Sequence, residues 1–448
     1  IAGIVMNNPK NFNTSHLKIN GPIRDQIEMQ INTLDMLLPP NHKARGIWEF
    51  VDNMDTRPCF VNVNTYFGHV GRSATSPKIL FALWLYSILD GNTSARKLEE
   101  LCKNHNVYKW LAGGVSINRT MLSEFRNNDP IHFEDLLTSC LAVMVQAGLI
   151  DDTDFAQDGT KIKANAGFNS YRRGDSLQNL KEEIKAYIKQ LEIENSACTN
   201  AHEKREKAKE ARIAIERLSR VEDALKILDK ERALKEENGE KNSEPPTEEE
   251  LKNVRASITD PDVRKMKMGD GGYRLAYNVQ FVTGLDSRVI YGVGVVTTQD
   301  QGTAPRMMSI VHSRLDKLNM SPPKNWIADA AYSSKEDVSK SAEWFPNCSY
   351  FAPPKVRKGI DPKKHLKKDS EAVKKWRDMI GSEEVEALYK LRCSTAEFSN
   401  AQVKNKGLRE FSVRGLFKVK GMALLHAIAQ NISRYLDLVT RKNAEVLV

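Results

Sequence analysis

The sequence predicts an α/β protein in which a mixed sheet flanked by helices follows an all-helical N-terminal region and carries an inserted helical hairpin. Residues 1–148 show helical patterns and few strand signals, whereas β-branched and aromatic runs begin after Gly148. Two long charged stretches with apolar residues at helical spacing separate the first of these runs from the next. The 448 residues, 40% of them hydrophobic, fit about three domains.

Residues 1–148 are predicted to form a helical DNA-binding domain. Ser76-Pro77 starts a helix, because proline is favoured at the first helical position, and two shorter helices follow the break at 90–92. Three short helices with tight turns are similar to a helix-turn-helix arrangement, and a plain helical bundle is the alternative. Arg119 and Arg126, on the last of these helices, are candidate DNA-binding residues.

From Gly148 onward, strand and helix signals alternate in an order that predicts the mixed sheet of a catalytic domain, residues 149–170 and 271–440. Two strands form a hairpin at the turn 284–286. The predicted strands are 153–157, 277–283, 288–298, 325–328 and 349–352, and the predicted helices between the last three are 307–318 and 334–344.

Residues 171–270 are predicted to form the insertion. Apolar residues repeat by three and four over 177–191 and again over 214–228, which indicates two antiparallel helices. The polar stretch 236–250, with two prolines, is predicted to be a linker back to the sheet.

Three acids have the positions that metal-dependent chemistry needs. Asp158 ends the first predicted strand, Asp329 ends the fourth, and Glu397 lies in a helical segment after the fifth. Neighbouring strands bring their ends together, and hard divalent Mg²⁺ binds such clusters of carboxylate oxygens. Two such ions can promote phosphodiester cleavage.

Each acid taken alone could instead cap a helix or form a turn. We favour Asp158 for the first position because the small neighbour Gly159 leaves room for a phosphate. The alternatives are Asp151, Asp152, Asp154 and, more weakly, Asp300.

Around these acids lie the motifs DGTKIKANA, ADAAYSS and GLREFSVRGLFKVKGMALLHAIAQNISR, which resemble those of bacterial insertion-sequence DDE transposases. The resemblance extends from about residue 70 to 435 and is to the branch with a Tyr-Arg-Glu-Lys signature, here Tyr389, Arg392, Glu397 and Lys404. Two residues separate the tyrosine from the arginine and six separate the glutamate from the lysine, as in that pattern. The four residues between the arginine and the glutamate are one more than its commonest form.

The resemblance implies a ribonuclease-H-like catalytic core. Asp158, Asp329 and Glu397 would be catalytic and hold two Mg²⁺ ions, with Mn²⁺ as a substitute, and Tyr389, Arg392 and Lys404 would contact phosphates of the transposon end. It also implies a homodimer in a synaptic complex on double-stranded DNA, with terminal inverted repeats and target DNA as partners. In a regular α-helix, Glu397 and Lys404 share a face, while Arg392 is rotated from them by about 140°.

The stretch 353–380 is predicted to be a basic loop that follows a DNA backbone, because its prolines and glycine argue against one continuous helix. Residues 355–377 hold ten Lys and Arg against three acids, in a chain whose net charge is +9. Trp376 is either a base-stacking residue or, more commonly for this residue type, a buried one. The candidate DNA-binding residues are Lys355, Arg357, Lys358, Lys363, Lys364, Lys367 and Lys368, with Arg409 and Arg414 further along the chain.

The sequence thus predicts a DNA transposase that performs metal-dependent strand cleavage and strand transfer. A metal-dependent nuclease of the same fold and a domesticated, non-catalytic DNA-binding protein are the alternatives. No apolar run is long enough to cross a membrane, and the six cysteines show no CxxC pair, so a cytoplasmic, nucleoid-associated location in a bacterium is expected.

Overall fold

The described residues between 33 and 146 form helices and no strand. The computed structural model describes residues 33–66, 73–198, 200–242, 245–355 and 361–446, and the description below concerns these. Side chains cap the short helices: Ser94 accepts a hydrogen bond from the backbone N–H of Lys97, and Asn118 accepts one from Met121. The helices are α1 Lys43–Asn53, α2 Pro77–Leu89, α3 Ala95–Asn104, α4 Asn106–Ala112, α5 Arg119–Arg126 and α6 Pro130–Gln146.

A mixed sheet and an inserted hairpin follow. In chain order the elements are β1 Asp154–Lys163, β2 Tyr171–Arg173, α7 Gly174–Ala197, α8 Ala201–Asn242, α9 Glu248–Lys252, β3 Arg255–Ser257, β4 Arg264–Lys267, β5 Tyr273–Gly284, β6 Ile290–Val296, α10 Ala304–Leu318, β7 Asn325–Ile327, α11 Lys335–Trp344 and β8 Ser349–Phe351. The chain then continues through α12 Glu371–Met379, α13 Glu383–Arg392, a π-helical turn Cys393–Glu397, α14 Phe398–Asn405 and α15 Leu416–Val446.

The main sheet has the strand order β4-β5-β1-β7-β8, and β6 pairs with β5. The strands β4, β5, β6 and β1 pair antiparallel, whereas β7 is parallel to both β1 and β8. The predicted fold class is confirmed: a mixed α/β sheet, consistent with a ribonuclease-H-like fold, follows an all-helical region and carries a helical hairpin.

The helices α7 and α8 of the insertion have an apolar core of their own, built on Leu177, Ile184, Val221 and Leu228. The short strands β2 and β3, which the sequence did not indicate, pair at its base. The predicted linker 236–250 is wrong over much of its length, since α8 continues to Asn242 and α9 starts at Glu248.

The structure corrects two further boundaries. β1 does not end at Asp158 but continues to Lys163, because the residues beyond Asp158 pair with β5. The basic stretch 353–380 is not a loop throughout, since α12 begins after Ser370, whose side chain accepts a hydrogen bond from the N–H of Val373. Trp376 in that helix is buried and donates to the carbonyl of Ala352, so it is a core residue.

The long helix α15 joins the N-terminal helices to the sheet, because it packs against α6, α2 and β6. The side chain of Asn431 both donates to and accepts from the backbone of Ile290 in β6. One apolar core therefore extends from the first helices through the sheet. Within the described residues, no helix combines the length and apolar character needed to cross a membrane.

Candidate active site

The strands β1 and β7 set two acids side by side. Their parallel register pairs Asp154 with Asn325 and Ala156 with Ile327, where β7 ends, and the charge of Asp329 two residues later raises the pKa of Asp158. Neighbouring strands lie about 5 Å apart. The predicted proximity of these two acids, 171 positions apart in the chain, thus follows from the sheet.

The carboxylate of Asp158 is desolvated and held at both oxygens. Its side chain is 16% exposed, its Oδ1 accepts a hydrogen bond from the N–H of Gly159 at 3.0 Å, and its Oδ2 accepts one from Asn400 Nδ2 at 2.9 Å. Burial raises the pKa of Asp158 to about 6; the charge of Arg392 opposes this rise and the charge of Asp329 adds to it.

Asp329 begins the turn that follows β7. Its Oδ1 accepts a hydrogen bond from the N–H of Ala331 at 2.7 Å, which lowers its pKa, but burial has the larger effect and the pKa is raised overall. Each carboxylate therefore loses solvation in the fold and lies close to another acid. Such a pair favours either a proton or a cation.

The space beside Gly159 is already filled. A Cβ at Gly159 would collide with the side chains of Asp300 and Gln280, so the predicted room for a phosphate at this glycine is absent. Asp300 Oδ1 accepts hydrogen bonds from Gln280 Nε2 and Asn278 Nδ2, each at 2.8 Å. The charge of Asp300 also contributes to the raised pKa of Asp329.

The other aspartates considered for the first position have different surroundings. Asp152 is buried and accepts hydrogen bonds from the hydroxyl of Tyr291 and the N–H of Ser287, which is a structural arrangement. Asp154 accepts a hydrogen bond from Asn325 Nδ2 at 2.8 Å, and Asp151 is exposed at the surface.

The π-helical turn Cys393–Glu397 accommodates the extra residue of the signature. A π-helix joins residues five positions apart, so it brings Arg392 and Glu397 onto one face of the helix. Arg392 Nη2 lies 3.8 Å from Glu397 Oε1. The predicted rotation of about 140° between these residues is therefore wrong, because it assumed a regular α-helix.

Arg392 lies between Asp158 and Glu397. Its Nη1 is 3.9 Å from Asp158 Oδ2, and its guanidinium lies over the ring of Tyr389 at 5.4 Å from the ring centroid. Its Nε is buried and has no hydrogen-bond partner among the described residues. A buried guanidinium with an unused donor suits an anionic ligand.

Lys404 is half-buried on α14, and burial lowers its pKa while the charge of Asp158 opposes that shift. Glu397 has a side chain that is 61% exposed, so it contrasts with both strand acids. The structure thus gathers the four signature residues near Asp158, with Glu397 at the solvent-facing side.

The donor set fits a hard divalent cation in part. Asp158 and Asp329 would supply carboxylate oxygens, the ligands that Mg²⁺ and Mn²⁺ prefer, and burial raises the pKa of both carboxyls. However, no group of three or more acidic, histidine or cysteine side chains among the described residues is arranged to hold a metal ion. Arg392, between Asp158 and Glu397, accounts for this separation.

The predicted basic residues are mostly at the surface. Lys355 lies close enough to Asp329 to lower its pKa, and Arg409 and Arg414 donate to the carbonyls of Lys404 and Asn165. The exposed ones among them are Lys355, Lys363, Lys364, Lys367, Lys368, Arg409 and Arg414. Arg357 and Lys358 lie outside the described residues.

The two N-terminal candidates differ from each other. Arg119 is exposed at the start of α5, whereas Arg126 is buried. Arg126 Nη1 donates to the carbonyl of Thr93 and to Ser412 Oγ, and the guanidinium lies over the ring of Trp84. Arg126 therefore joins the N-terminal helices to the segment before α15, and we leave it out of the proposed DNA surface.

Sequence reasoning missed Asn400, which touches Asp158 directly. Asn400 is three residues after Glu397 and four before Lys404, so helical spacing places all three on one face. That spacing was a usable signal.

Two family models match the chain. The model described as transposase DDE domain matches residues 352–436, which include the four signature residues, and the model described as transposase domain (DUF772) matches residues 32–128, which include α1 to α5. No curated protein and no solved structure matches. Both family matches agree with the resemblance that the motifs predicted.

Proposed function

We infer from these two matches that the chain is an insertion-sequence DDE transposase, and we propose the reaction that its site performs. The protein binds the terminal inverted repeats of its element as a homodimer in a synaptic complex, cleaves a DNA strand and joins the freed end to target DNA. We assign it to the branch with the Tyr-Arg-Glu-Lys signature.

The observation that carries the proposal is a pair of partly buried acids at neighbouring parallel strands: Asp158 lies in β1, and Asp329 begins the turn after β7. Their raised pKa values show that the fold alone does not compensate both charges. A divalent cation between them would relieve the repulsion, and Glu397 would complete the ligand set from the helix side. When bound, two Mg²⁺ or Mn²⁺ ions would activate the attacking oxygen and stabilise the leaving oxygen.

In the first step, the oxygen of water forms a bond to phosphorus and the bond from phosphorus to the 3′ oxygen breaks. The 3′ oxygen leaves with a proton as a hydroxyl, and the phosphate stays on the 5′ end. In the second step this hydroxyl attacks a target phosphodiester, and the target's own 3′ oxygen leaves. Arg392, Tyr389 and Lys404 would contact the phosphates that flank the reacting one.

The exposed lysines of 353–380, with Arg409, Arg414 and Arg119, would bind the DNA backbone outside the reacting strand. Such contacts release counterions, so affinity should fall steeply as salt increases. A cytoplasmic, nucleoid-associated location belongs to the same proposal.

The test uses labelled DNA with the inverted repeats that flank the reading frame, together with Mg²⁺ and a target plasmid. Asp158→Ala, Asp329→Ala and Glu397→Ala should each reduce cleavage by more than about 100-fold, since even the hydrogen-bonded neighbours of a metal ligand are worth 10–100-fold. The exposed Asp151→Ala, just before β1, should cleave normally and is the matched control.

Unchanged cleavage in all three variants would contradict the assignment of Asp158, Asp329 and Glu397 as metal ligands. Cleavage by the unaltered protein without joining to the target would favour a nuclease. Binding of the repeats without cleavage, in Mg²⁺ and in Mn²⁺, would favour a non-catalytic DNA-binding protein.

A further inference from the structure

We propose that Asn400 is a positioning residue for the first acid of the site: it holds the Asp158 carboxylate in the orientation that binds the cation. The proposal rests on the proposed function, since it concerns the same metal site. The Tyr-Arg-Glu-Lys signature assigns Asn400 no role.

Asn400 lies on α14 and is 8% exposed. Its Nδ2 donates to Asp158 Oδ2 at 2.9 Å, across 242 positions of the chain. The same helix carries Lys404, and Glu397 immediately precedes it, so one helical face presents all three residues to the strand acids. Asn400 is therefore a direct link between the helix of the third acid and the strand of the first.

The carboxamide oxygen of Asn400 faces no hydrogen-bond donor in the part of the chain that the structure describes. Asn400 Oδ1 is buried and has no hydrogen-bond partner among the described residues. An ionised carboxylate only accepts hydrogen bonds, so Nδ2 must face Asp158 and Oδ1 remains free on the same group. A buried acceptor of this kind suits a water molecule bound to the cation.

The two hydrogen-bond donors that hold Asp158 are neutral, so they orient the carboxylate without neutralising its charge. The N–H of Gly159 holds Oδ1 and Asn400 holds Oδ2, and each oxygen keeps a further lone pair for a cation. Outer hydrogen bonds of this type orient metal-binding carboxylates, and their loss weakens metal binding by about 10–100-fold. Asn400 should therefore affect metal affinity more than it affects the fold.

The experiment compares Mn²⁺ binding to the full chain, measured by electron paramagnetic resonance, for the unaltered protein, Asn400→Ala and Asn400→Leu. The leucine variant fills nearly the same volume without a donor, so it guards against collapse of the helix. Both variants should bind Mn²⁺ about 10–100-fold more weakly. In cleavage assays, the half-saturating Mn²⁺ concentration should rise by the same factor, and the rate should recover at saturating Mn²⁺.

Ser399→Ala is the matched control, because Ser399 is the adjacent buried residue and its hydroxyl has no partner among the described residues. It should bind Mn²⁺ as the unaltered protein does. An unchanged Mn²⁺ affinity in both Asn400 variants, or a lower maximal rate with unchanged metal dependence, would overturn the positioning role. If Asp158→Ala also left Mn²⁺ binding unchanged, the metal site itself would fall and this proposal with it.

Discussion

The sheet and the helical segment contribute acids of different character to the same site. Asp158 belongs to β1 and Asp329 begins the turn after β7, and both are partly desolvated, with raised pKa values. Glu397 belongs to a π-helical turn, its side chain is 61% exposed, and its Oε1 lies 3.8 Å from Arg392 Nη2.

The difference shows two ways to place a carboxylate. A strand residue is held by backbone pairing, as Asp158 is with Phe281 of β5, so its position cannot shift without disrupting the sheet. The position of a helix residue around the helix axis depends on the number of residues per turn, so a π-helical turn can accommodate one extra residue locally. Asp158 is therefore fixed by the pairing of β1, whereas the position of Glu397 depends on the length of its turn.

The largest expected effect on cleavage comes from lengthening the π-helical turn Cys393–Glu397, whereas shortening it by one residue should have a small effect. Deletion of Ser394 should let a regular α-helical turn replace the π-helical one, with Arg392 and Glu397 then four positions apart and still on one face. Cleavage should stay within about tenfold of normal. Insertion of one alanine after Ser394 should rotate the preceding helix by about 100° and reduce cleavage by about 100-fold, as misplaced catalytic groups do.

The control for both changes is Ser394→Ala, since the Ser394 hydroxyl is exposed and donates only to the carbonyl of Leu391. It should cleave normally. A deletion variant that folds and binds Mn²⁺ but does not cleave would show that the π-helical turn has a role beyond keeping the two residues on one face.

A second comparison concerns stability without metal. The pKa of Asp158 rises from 3.8 to about 6 on folding, so folding favours its protonated form. The associated stability is complete at low pH and is lost as pH rises through about 6, with an upper bound of about 3 kcal/mol. At pH 7.5 in a chelator, Asp158→Asn should therefore unfold at higher urea concentration than the unaltered protein.

Glu397→Gln should not change the urea midpoint at pH 7.5, because that side chain is largely in solvent. At pH 4 the gain from Asp158→Asn should also shrink. A stabilisation of equal size in both variants would contradict the distinction between the buried and exposed acids.

The smallest effect is expected at Tyr389, whose ring supports the guanidinium of Arg392. Tyr389→Phe keeps this ring and removes only the hydroxyl, so DNA affinity should fall by at most about tenfold, the value of one hydrogen bond. The DNA affinity of Tyr389→Ala should be lower still, because the guanidinium of Arg392 loses the ring that it lies over. Equal losses in a filter-binding titration would assign the effect to the hydroxyl instead.

Local patterns predicted much of the fold. The apolar spacing of Leu177 to Leu191 gave the first insertion helix, and the β-branched runs around the turn at 284–286 gave the hairpin of β5 and β6. Short elements such as β2 and β4 escaped prediction, because three or four residues carry too little periodicity to stand out. The linker was misread because its polar composition suits an exposed helix equally well.

The candidate site was predicted as a set of residues with Asp158 near Asp329, whereas the contacts of its other members were not predicted. Asp158, Asp329, Glu397, Arg392 and Lys404 were identified from motifs, but the contact between Asn400 and Asp158 joins residues 242 positions apart. Arg126 was predicted to bind DNA but is buried, and its guanidinium donates to the carbonyl of Thr93 and to Ser412 Oγ.

By itself, the sequence predicted the order of the longer helices and strands and the residue types of the proposed site, because periodicity and motif spacing depend on neighbours within a few positions. The tertiary structure decided which acids are desolvated and placed Arg392 between Asp158 and Glu397. It also accommodates the extra residue between Arg392 and Glu397 as a π-helical turn. Those properties arise from segments far apart in the chain, since the pKa of Asp158 depends on its burial in the fold and on the charges of Arg392, Asp329 and Asp300.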